Sequence, residues 1–177
     1  HHKGSFGSSA VLGGQQGMVG ACVLSARTTL MLGCGRVALS LLSEADMHVP
    51  DVQRQGQTPF LDLVFPEIMN KGLEENLQFA DTAIVGPGLG QSDDALNMLL
   101  ALLEHDKGLN MVWDADALNL LASGFVELPK DCVITPHPGE AARLLDIDTA
   151  AVQADRFAAA EALARTYQAV VVLKGAG

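Results

Sequence analysis

The chain alternates short apolar runs of strand length with longer stretches in which apolar residues recur at helical spacing. This alternation predicts a mostly parallel sheet with helices on both faces, which is a three-layer α/β/α fold in a single domain. The predicted strands cover residues 8–12, 36–42, 61–65, 83–85, 111–113, 132–135 and 169–173. The predicted helices cover residues 21–32, 73–79, 93–104, 118–121, 140–145 and 150–167.

The turns that follow these strands are rich in glycine or polar residues. Gly14, Gly17 and Gly20 follow the first strand, and Gly86-Pro87-Gly88-Leu89-Gly90 follows residues 83–85. Ligands of an open parallel sheet bind outside the carboxyl ends of its strands, where glycine lets backbone N–H groups approach an anion. The spacing matches neither G-x-G-x-x-G nor the Walker A loop. We therefore predict one anion-binding rim, with tight glycine packing as the alternative.

The stretch 133–145 places a histidine between two prolines. Pro136 and Pro138 restrict the backbone, so they hold His137 in an extended turn between a strand and a helix. The imidazole is thus predicted at the carboxyl end of a strand, and Glu140 starts the next helix beside it. The alternative is a proline-stiffened turn in which Glu140 only caps the helix.

Two carboxylates, Asp114 and Asp116, leave the end of the strand at 111–113. Their i, i+2 spacing places them on one face of an extended chain, where they could hold a metal or orient a hydroxyl group. The alternative is that one of them caps the helix that contains residues 118–121.

Composition narrows the class of ligand. The formal net charge is −10, and 49% of the residues are apolar. This charge disfavours nucleic acid and anionic membranes as partners, and leaves backbone N–H groups as the main ligands for any phosphate. Without an apolar run long enough to cross a bilayer, the protein is expected in the cytoplasm. Cys22, Cys34 and Cys132 lack metal-site spacing and are predicted to be reduced.

Between residues 43 and 72 the pattern is weak, because prolines at 50, 59 and 66 interrupt it. This part is predicted to be a variable surface excursion whose only strand is at 61–65. No function is assigned to it.

Six motifs in order are similar to those of the ADP-dependent NAD(P)H-hydrate dehydratases, a ribokinase-like family often labelled carbohydrate kinases. The motifs are HKGSFG (2–7), GMVGA (17–21), VGPGLG (85–90), WDADALNLLA (113–122), TPHPGEAARLL (135–145) and VVVLKGAG (170–177). The resemblance implies a ribokinase-like fold and an enzyme that repairs NADH or NADPH hydrated at C6 of the nicotinamide ring. ADP phosphorylates the hydroxyl group, phosphate is then eliminated, and Mg²⁺ neutralises charge during the transfer.

The resemblance also implies roles for individual residues. The implied substrate-binding residues are Ala21, Gly88, Gly90, Asn119 and His137. The implied nucleotide-binding residues are Lys174, Gly175, Ala176 and Gly177. Glu140, near Mg²⁺ and phosphate, and Asp116 are the implied catalytic residues, and no residue is assigned as a metal ligand.

One departure from the family is large. The Gly-x-Gly-Asp motif, which holds the transferred phosphate and supplies the catalytic base, lies beyond Lys174 to Gly177 in the family. Residues 1–177 are therefore expected to be a single ribokinase-like domain that is incomplete at its C-terminus, and to lack dehydratase activity alone. Two other readings stay open, a kinase for a small alcohol and a non-catalytic nucleotide-binding module. A homo-oligomer is expected.

Overall fold

The computed structural model describes residues 3–42, 61–104 and 108–175, which form a seven-stranded parallel sheet with flanking helices. The strands are β1 (Ser8–Gly13), β2 (Arg36–Leu41), β3 (Met69–Asn70), β4 (Thr82–Val85), β5 (Asn110–Trp113), β6 (Val133–Ile134) and β7 (Val170–Val171). Their order across the sheet is β3-β2-β1-β4-β5-β6-β7, and each neighbouring pair is parallel. The predicted parallel sheet is confirmed.

The helices connect the strands and begin close to the predicted positions. They are α1 (Val19–Met31), α2 (Leu73–Phe79), α3 (Asp93–Glu104), α4 (Asp116–Ala122), α5 (Pro138–Leu145), α6 (Thr149–Ala154) and α7 (Arg156–Tyr167). The hydroxyl of Ser92 accepts a hydrogen bond from the backbone N–H of Ala95 at 3.3 Å, so Ser92 caps α3. Proline suits the first position of a helix because that position needs no N–H donor, and α5 accordingly begins at Pro138.

The core lies on both faces of the sheet. On one face, α3, α4, α5 and α7 bury a cluster that includes Trp113, Leu99 and Leu163, each of them 0% exposed. On the other face, α1 packs Cys22 against Val11 of β1. The central strand β1 is buried at all six residues, as expected for a strand with a neighbour on each side and helices above and below.

The second face is covered only in part by the described residues. Val11, Ile84, Val112, Val133 and Val170 are paired in one row from β1 to β7, so they share a face. Val11 is buried under α1, but Ile84, Val112 and Val133 are only half-buried and Val170 is 61% exposed. We call Val112, Val133 and Val170 the valine row. Among the described residues, the helical cover predicted for both faces is therefore extensive on the first face, but on the second face it is limited to the area beneath α1.

The predicted strand at residues 61–65 is wrong. The carboxylate of Asp62, 3% exposed, accepts hydrogen bonds from the backbone N–H groups of Val64 (2.8 Å) and Phe65 (3.1 Å). It also pairs with the guanidinium of Arg27 in α1 at 2.6 Å. A side chain that captures the N–H groups two and three residues ahead bends the chain and competes with a strand ladder. The edge strand of this region is β3 instead.

Two predictions near the end of the chain also need correction. The single helix predicted at 150–167 is two helices, because Asp155 leaves the helical conformation and its carboxylate caps α7 by accepting from Ala158 N–H at 2.9 Å. The buried strand predicted at 169–173 is the two-residue β7, in which Val170 is exposed. It is the edge strand of the described sheet, and so packs against a neighbour on one side only.

The three cysteines form no disulfide, and burial raises the pKa of Cys22 to about 12. Within the described parts of the chain, no helix is long and apolar enough to cross a membrane. Residues 43–60 of the predicted surface excursion, and also His2, Ala176 and Gly177, lie outside the described residues.

Candidate functional site

The strand order fixes where a ligand can enter. The chain leaves β1 towards β2 and β3, then returns to place β4 on the opposite side of β1. The loops that follow β1 and β4 therefore diverge at the carboxyl edge, which is where ligands bind in open α/β sheets. The two loops remain in contact, since the N–H of Gly14 donates to Pro87 O at 3.0 Å and that of Gln15 to Gly88 O at 2.7 Å.

Glycine at position 88 is required by this contact. Gly88 has a φ of +64° and is buried, and a Cβ there would collide with the carbonyl oxygen of Met18 at the start of α1. The same Cβ would lie 3.2 Å from the Cβ of Ala21, which is exposed. The predicted substrate residues Ala21 and Gly88 are thus brought side by side at the N-terminus of α1.

The packing alternative holds for one glycine of the first loop but not for the others. A Cβ at Gly14 would come within 2.7 Å of the Leu41 side chain, so Gly14 is needed for packing. A Cβ at Gly17 or Gly20 would meet no atom within 4 Å. Close packing therefore does not explain these two exposed glycines, and the backbone at the start of α1 is accessible to a ligand.

The carboxylate of Asp116 serves the neighbouring loop. It accepts a hydrogen bond from the N–H of Gly90 at 2.9 Å, and Asn119 donates to its other oxygen at 3.4 Å. Asn119 in turn accepts from Arg143 of α5 at 2.9 Å. The predicted substrate-side residues Gly90 and Asn119 are therefore joined through Asp116. Arg143, which sequence reasoning missed, extends this connection to the next helix.

Asp114 and Asp116 do not act as a pair. Asp114 forms an ion pair with Lys174 beyond β7, whereas Asp116 is directed to Gly90. Neither carboxylate caps α4, whose N-cap is Ala115 with a φ of +51°. The capping alternative is therefore wrong, because each carboxylate finds a partner that is distant in the sequence. That these carboxylates hold a metal or orient a hydroxyl group stays a prediction.

His137 and Glu140 cap α5 reciprocally. Nδ1 of His137 accepts hydrogen bonds from the N–H groups of Gly139 (3.0 Å) and Glu140 (3.3 Å), and Glu140 Oε2 accepts from the N–H of His137 at 2.7 Å. Because its Nδ1 lone pair faces two donors, the neutral imidazole carries its proton on Nε2. The imidazole is 51% exposed, while the Glu140 carboxylate is 5% exposed and lies 3.3 Å from Nε2. The capping alternative is confirmed for Glu140, and His137 still faces the rim.

The turn after β7 completes the rim. The N–H of Lys174 donates to Pro136 O at 2.8 Å, and its ammonium pairs with Asp114. Lys174 therefore lies between the turns that follow β5 and β6. From β1 to β7, the predicted turns within the described residues all lie at the carboxyl edge, and backbone or side-chain contacts connect each to another.

A solvent-open cleft of ≈ 230 Å³ lies at the β1 end of this rim. Its lining residues are Gln15, Gln16, Leu42, Ser92 and Asp94. The sequence contained no signal for the two glutamines, because an isolated amide becomes recognisable as part of a site only when the fold supplies its neighbours. The cleft provides space for a ligand beside the Gly86–Gly90 loop.

The rim carboxylates do not form a metal site by themselves. Asp114 pairs with Lys174, Asp116 with the N–H of Gly90, and Glu140 with His137. No group of three or more His, Cys, Asp or Glu side chains converges in the described part of the chain. This set does not fit an all-protein Mg²⁺ cage, but it is compatible with Mg²⁺ carried on the phosphates of a nucleotide, which is how proteins often bind that ion.

Comparison with known proteins identifies the family. The carbohydrate-kinase family model, described as NAD(P)H-hydrate dehydratase, matches residues 9–177. This chain belongs to the NAD(P)H-hydrate dehydratase family. Its relatives include the bifunctional NAD(P)H-hydrate repair enzyme of Coxiella burnetii, which is 43% identical over 99% of this chain. The ADP-dependent (S)-NAD(P)H-hydrate dehydratase of Neisseria meningitidis is 39% identical over 98% of it.

Solved structures agree with this family. A ribokinase-like superfamily protein from Enterococcus faecalis superimposes with a TM-score of 0.79 at 25% identity, covering 99% of this chain and 60% of that one. The ADP/ATP-dependent NAD(P)H-hydrate dehydratase of Bacillus subtilis, co-crystallised with ATP and Mg²⁺, gives a TM-score of 0.74 at 26% identity with the same coverage. The predicted ribokinase-like α/β fold is confirmed. The chain spans 34% of the Coxiella NAD(P)H-hydrate repair enzyme and 57% of the Neisseria dehydratase.

Proposed function

We propose that this protein is an ADP-dependent (S)-NAD(P)H-hydrate dehydratase. Its substrate is NADH or NADPH hydrated at C6, ADP transfers phosphate to the C6 hydroxyl, and elimination of that phosphate gives NAD(P)H, AMP and phosphate. Phosphorylation converts a poor leaving group, hydroxide, into a good one. The observation that carries the proposal is that the family's glycine-rich and polar motifs lie together at the carboxyl edge, around the switch point between β1 and β4.

The hydrated ring is proposed to bind against Ala21, Gly88 and His137. The exposed imidazole offers its Nε2–H as a donor, and the cap formed with Glu140 fixes the direction in which the ring points. Gly90 and Asn119, which are joined through Asp116, are proposed to bind the substrate as well. A bound group held in one orientation reacts faster because less rotational freedom is lost at the moment of reaction.

The phosphates of ADP are proposed to bind at the turn of Lys174 and Gly175, together with Ala176 and Gly177 that follow in the sequence. A chain with a net charge of −10 must hold phosphate with local donors, and this turn offers an ammonium together with backbone N–H groups. Mg²⁺ bound to those phosphates supplies charge neutralisation during the transfer. The partners in this proposal are therefore small molecules, the hydrated dinucleotide and ADP.

Glu140 and Asp116 are proposed to act by positioning other groups. The Glu140 carboxylate is 5% exposed and accepts from the N–H of His137, and Asp116 accepts from the N–H of Gly90. A carboxylate that already accepts internal hydrogen bonds is poorly placed to take a proton from a substrate. This supports roles in orienting the rim, and leaves the base to the Gly-x-Gly-Asp motif of the family.

The test is to incubate the full-length protein with hydrated NADH, ADP and Mg²⁺, and to follow the recovery of NADH absorbance together with AMP release. We expect both products in equal amounts and neither when ADP is omitted. Accumulation of a stable phosphorylated dinucleotide would instead indicate a kinase. Stabilisation by ADP without any turnover would indicate a non-catalytic nucleotide-binding module.

A further inference from the structure

The guanidinium of Arg156, the first residue of α7, forms hydrogen bonds with the turn that follows β7. Its Nη2 donates hydrogen bonds to the carbonyl oxygens of Leu173 at 3.0 Å and Lys174 at 3.2 Å. Its Nη1 donates to the side-chain oxygen of Gln153 in α6 at 3.0 Å. One side chain therefore ties two consecutive carbonyl groups of the turn to the junction between two helices.

These hydrogen bonds set the direction of the backbone N–H groups of Lys174 and Gly175. In a trans peptide the N–H points opposite to the C=O of the same unit. The Leu173 carbonyl faces Arg156, and the N–H of Lys174 accordingly points the other way, to Pro136 O at 2.8 Å. By the same rule the Lys174 carbonyl faces Arg156, so the N–H of Gly175 points away from the guanidinium.

The identity of residue 175 agrees with this arrangement. A Cβ on Gly175 would lie 2.7 Å from Nη1 and 3.0 Å from Nη2 of Arg156. The guanidinium thus occupies the space that a side chain at position 175 would need. The contact between Arg156 and the turn depends on glycine at that position.

The break between α6 and α7 is what places Arg156 here. Asp155 interrupts the helix and caps α7, so Arg156 stands at a helix start, with Gln153 on the preceding helix. On the other side of the turn, Asp114 holds the Lys174 ammonium. The turn is therefore fixed from two directions, by Arg156 at its carbonyl groups and by Asp114 at its side chain.

We propose that Arg156 is a positioning residue for the nucleotide phosphates, because it orients the Lys174–Gly175 peptide so that its N–H is available to them. The inference rests on the proposed function, since it assumes that ADP binds at this turn. Arg156 itself need not touch the nucleotide. Its effect is specific to the nucleotide, because the hydrated ring is proposed to bind at Ala21, Gly88 and His137.

The experiment compares Arg156→Lys and Arg156→Ala with Arg165→Ala in the full-length protein. Arg165 lies on the same helix, where it forms an exposed pair with Glu161, so its loss should change neither ligand. Lysine keeps the charge but has no planar fork with which to bind the two carbonyl groups and the side chain of Gln153 at the same time. We expect both Arg156 variants to raise the Kd and KM for ADP about tenfold, with the KM for hydrated NADH within about twofold of wild type.

The outcomes separate the two proposals. If the wild-type protein does not bind ADP, the proposed function fails and this inference fails with it. If the wild type binds ADP and Arg156→Lys binds it equally well at an unchanged melting temperature, Arg156 has no positioning role and the proposed function stands. Equal weakening of both ligands together with a lower melting temperature would also overturn the inference, because it would mark Arg156 as a purely structural residue.

Discussion

His137 combines a structural and a proposed chemical task in one side chain. Its Nδ1 caps α5 by accepting from the N–H groups of Gly139 and Glu140, and its Nε2, 3.3 Å from the Glu140 carboxylate on a ring that is 51% exposed, is the proposed donor to the substrate. A substitution that removes the imidazole therefore removes both contributions. The two can be separated because asparagine also caps helices but lacks the second ring nitrogen.

We predict that His137→Ala and His137→Asn will differ in stability but not in activity. Alanine should lower the free energy of unfolding by about 1 kcal/mol through loss of the cap, and asparagine should restore most of it. Both should lower turnover of hydrated NADH by about 100-fold or more, because the ring donor that positions the substrate is absent. Thermal melts and steady-state kinetics measure the two effects, and near-normal turnover in His137→Asn would leave His137 with the cap alone.

The Arg27–Asp62 pair is predicted to make the stability of the fold depend on pH in the acid range. The hydrogen bond from Arg27 holds the pKa of Asp62 well below its ordinary value, helped by the N–H groups of Val64 and Phe65. A carboxyl group whose pKa is lower in the folded state stabilises the fold above its unfolded pKa of about 4, and this contribution is lost as the pH falls through the folded pKa.

Asp62→Asn should therefore lower the melting temperature at neutral pH, and the difference from wild type should shrink as the pH falls below about 4. Melting curves recorded from neutral to acid pH measure this directly. The exposed Glu161, which pairs with Arg165 on the surface of α7, provides the control as Glu161→Gln. A constant difference between Asp62→Asn and wild type at every pH would show that the loss arises from packing and not from charge.

At the scale of elements, the two glycine-rich loops are built for different purposes. The loop after β4 uses Gly88 to bring backbone against α1, whereas Gly20, in the first turn of α1, has open space around it. A substitution at Gly20 should therefore be tolerated by the fold. The same substitution in the second loop should disturb it.

We predict that Gly20→Ala will leave the fold intact, since alanine favours a helix by about 0.5–1 kcal/mol over glycine. Its affinity for the hydrated dinucleotide should fall, because a methyl group would stand beside Ala21 at the proposed contact. Gly88→Ala should cost about 2–3 kcal/mol of stability, because a positive φ and a collision with Met18 combine. Chemical denaturation and calorimetric titration measure these changes, and unchanged affinity in Gly20→Ala would place the ligand elsewhere.

The sequence was most informative where local signals and the fold agree. Residues 73–79 form a helix with the predicted bounds, and the turn at His137 between strand and helix follows from proline stereochemistry alone. The failures share one cause. Asp62 forms a turn with the help of Arg27, and Asp114 is drawn to Lys174, 60 residues away. Polar side chains choose among partners that only the assembled fold brings near.

The break at Asp155 was missed for a different reason. The alanine-rich stretch has high helix propensity throughout, so the pattern predicts one continuous helix although Asp155 is a residue type that caps helices well. Because the N-cap is at Asp155, Arg156 comes to the start of α7 and reaches the turn after β7. Missing the cap therefore meant missing a candidate site residue as well.

At the scale of the whole molecule, the partly covered face of the sheet governs how this chain behaves on its own. Side-chain exposure along the valine row rises towards β7, where Val170 is 61% exposed. Val172, two residues further along the chain, is 51% exposed. A flat apolar surface beside a free strand edge promotes pairing with another chain.

We predict that the isolated 177-residue chain will self-associate through this surface. Replacing Val170 and Val172 together with threonine should shift the molecular mass measured by light scattering towards that of a monomer, because both side chains then become polar without losing their β-branched shape. Phe157 on α7 is 88% exposed and provides the control as Phe157→Ser. If the Phe157 variant dissociates and the double valine variant does not, the contact lies on α7.

The position of β1 has a consequence for the timing of synthesis. β1 is made before both of the strands that pair with it, yet it lies inside the sheet and needs β4 as its second neighbour. Asp81, whose carboxylate receives the N–H of Ser8, comes 73 residues later. At about 5–20 residues per second, a ribosome needs about 4–15 seconds to cover that interval. During those seconds the most deeply buried strand of the finished protein has an open edge, which makes the nascent chain a natural client for a chaperone that shields apolar segments.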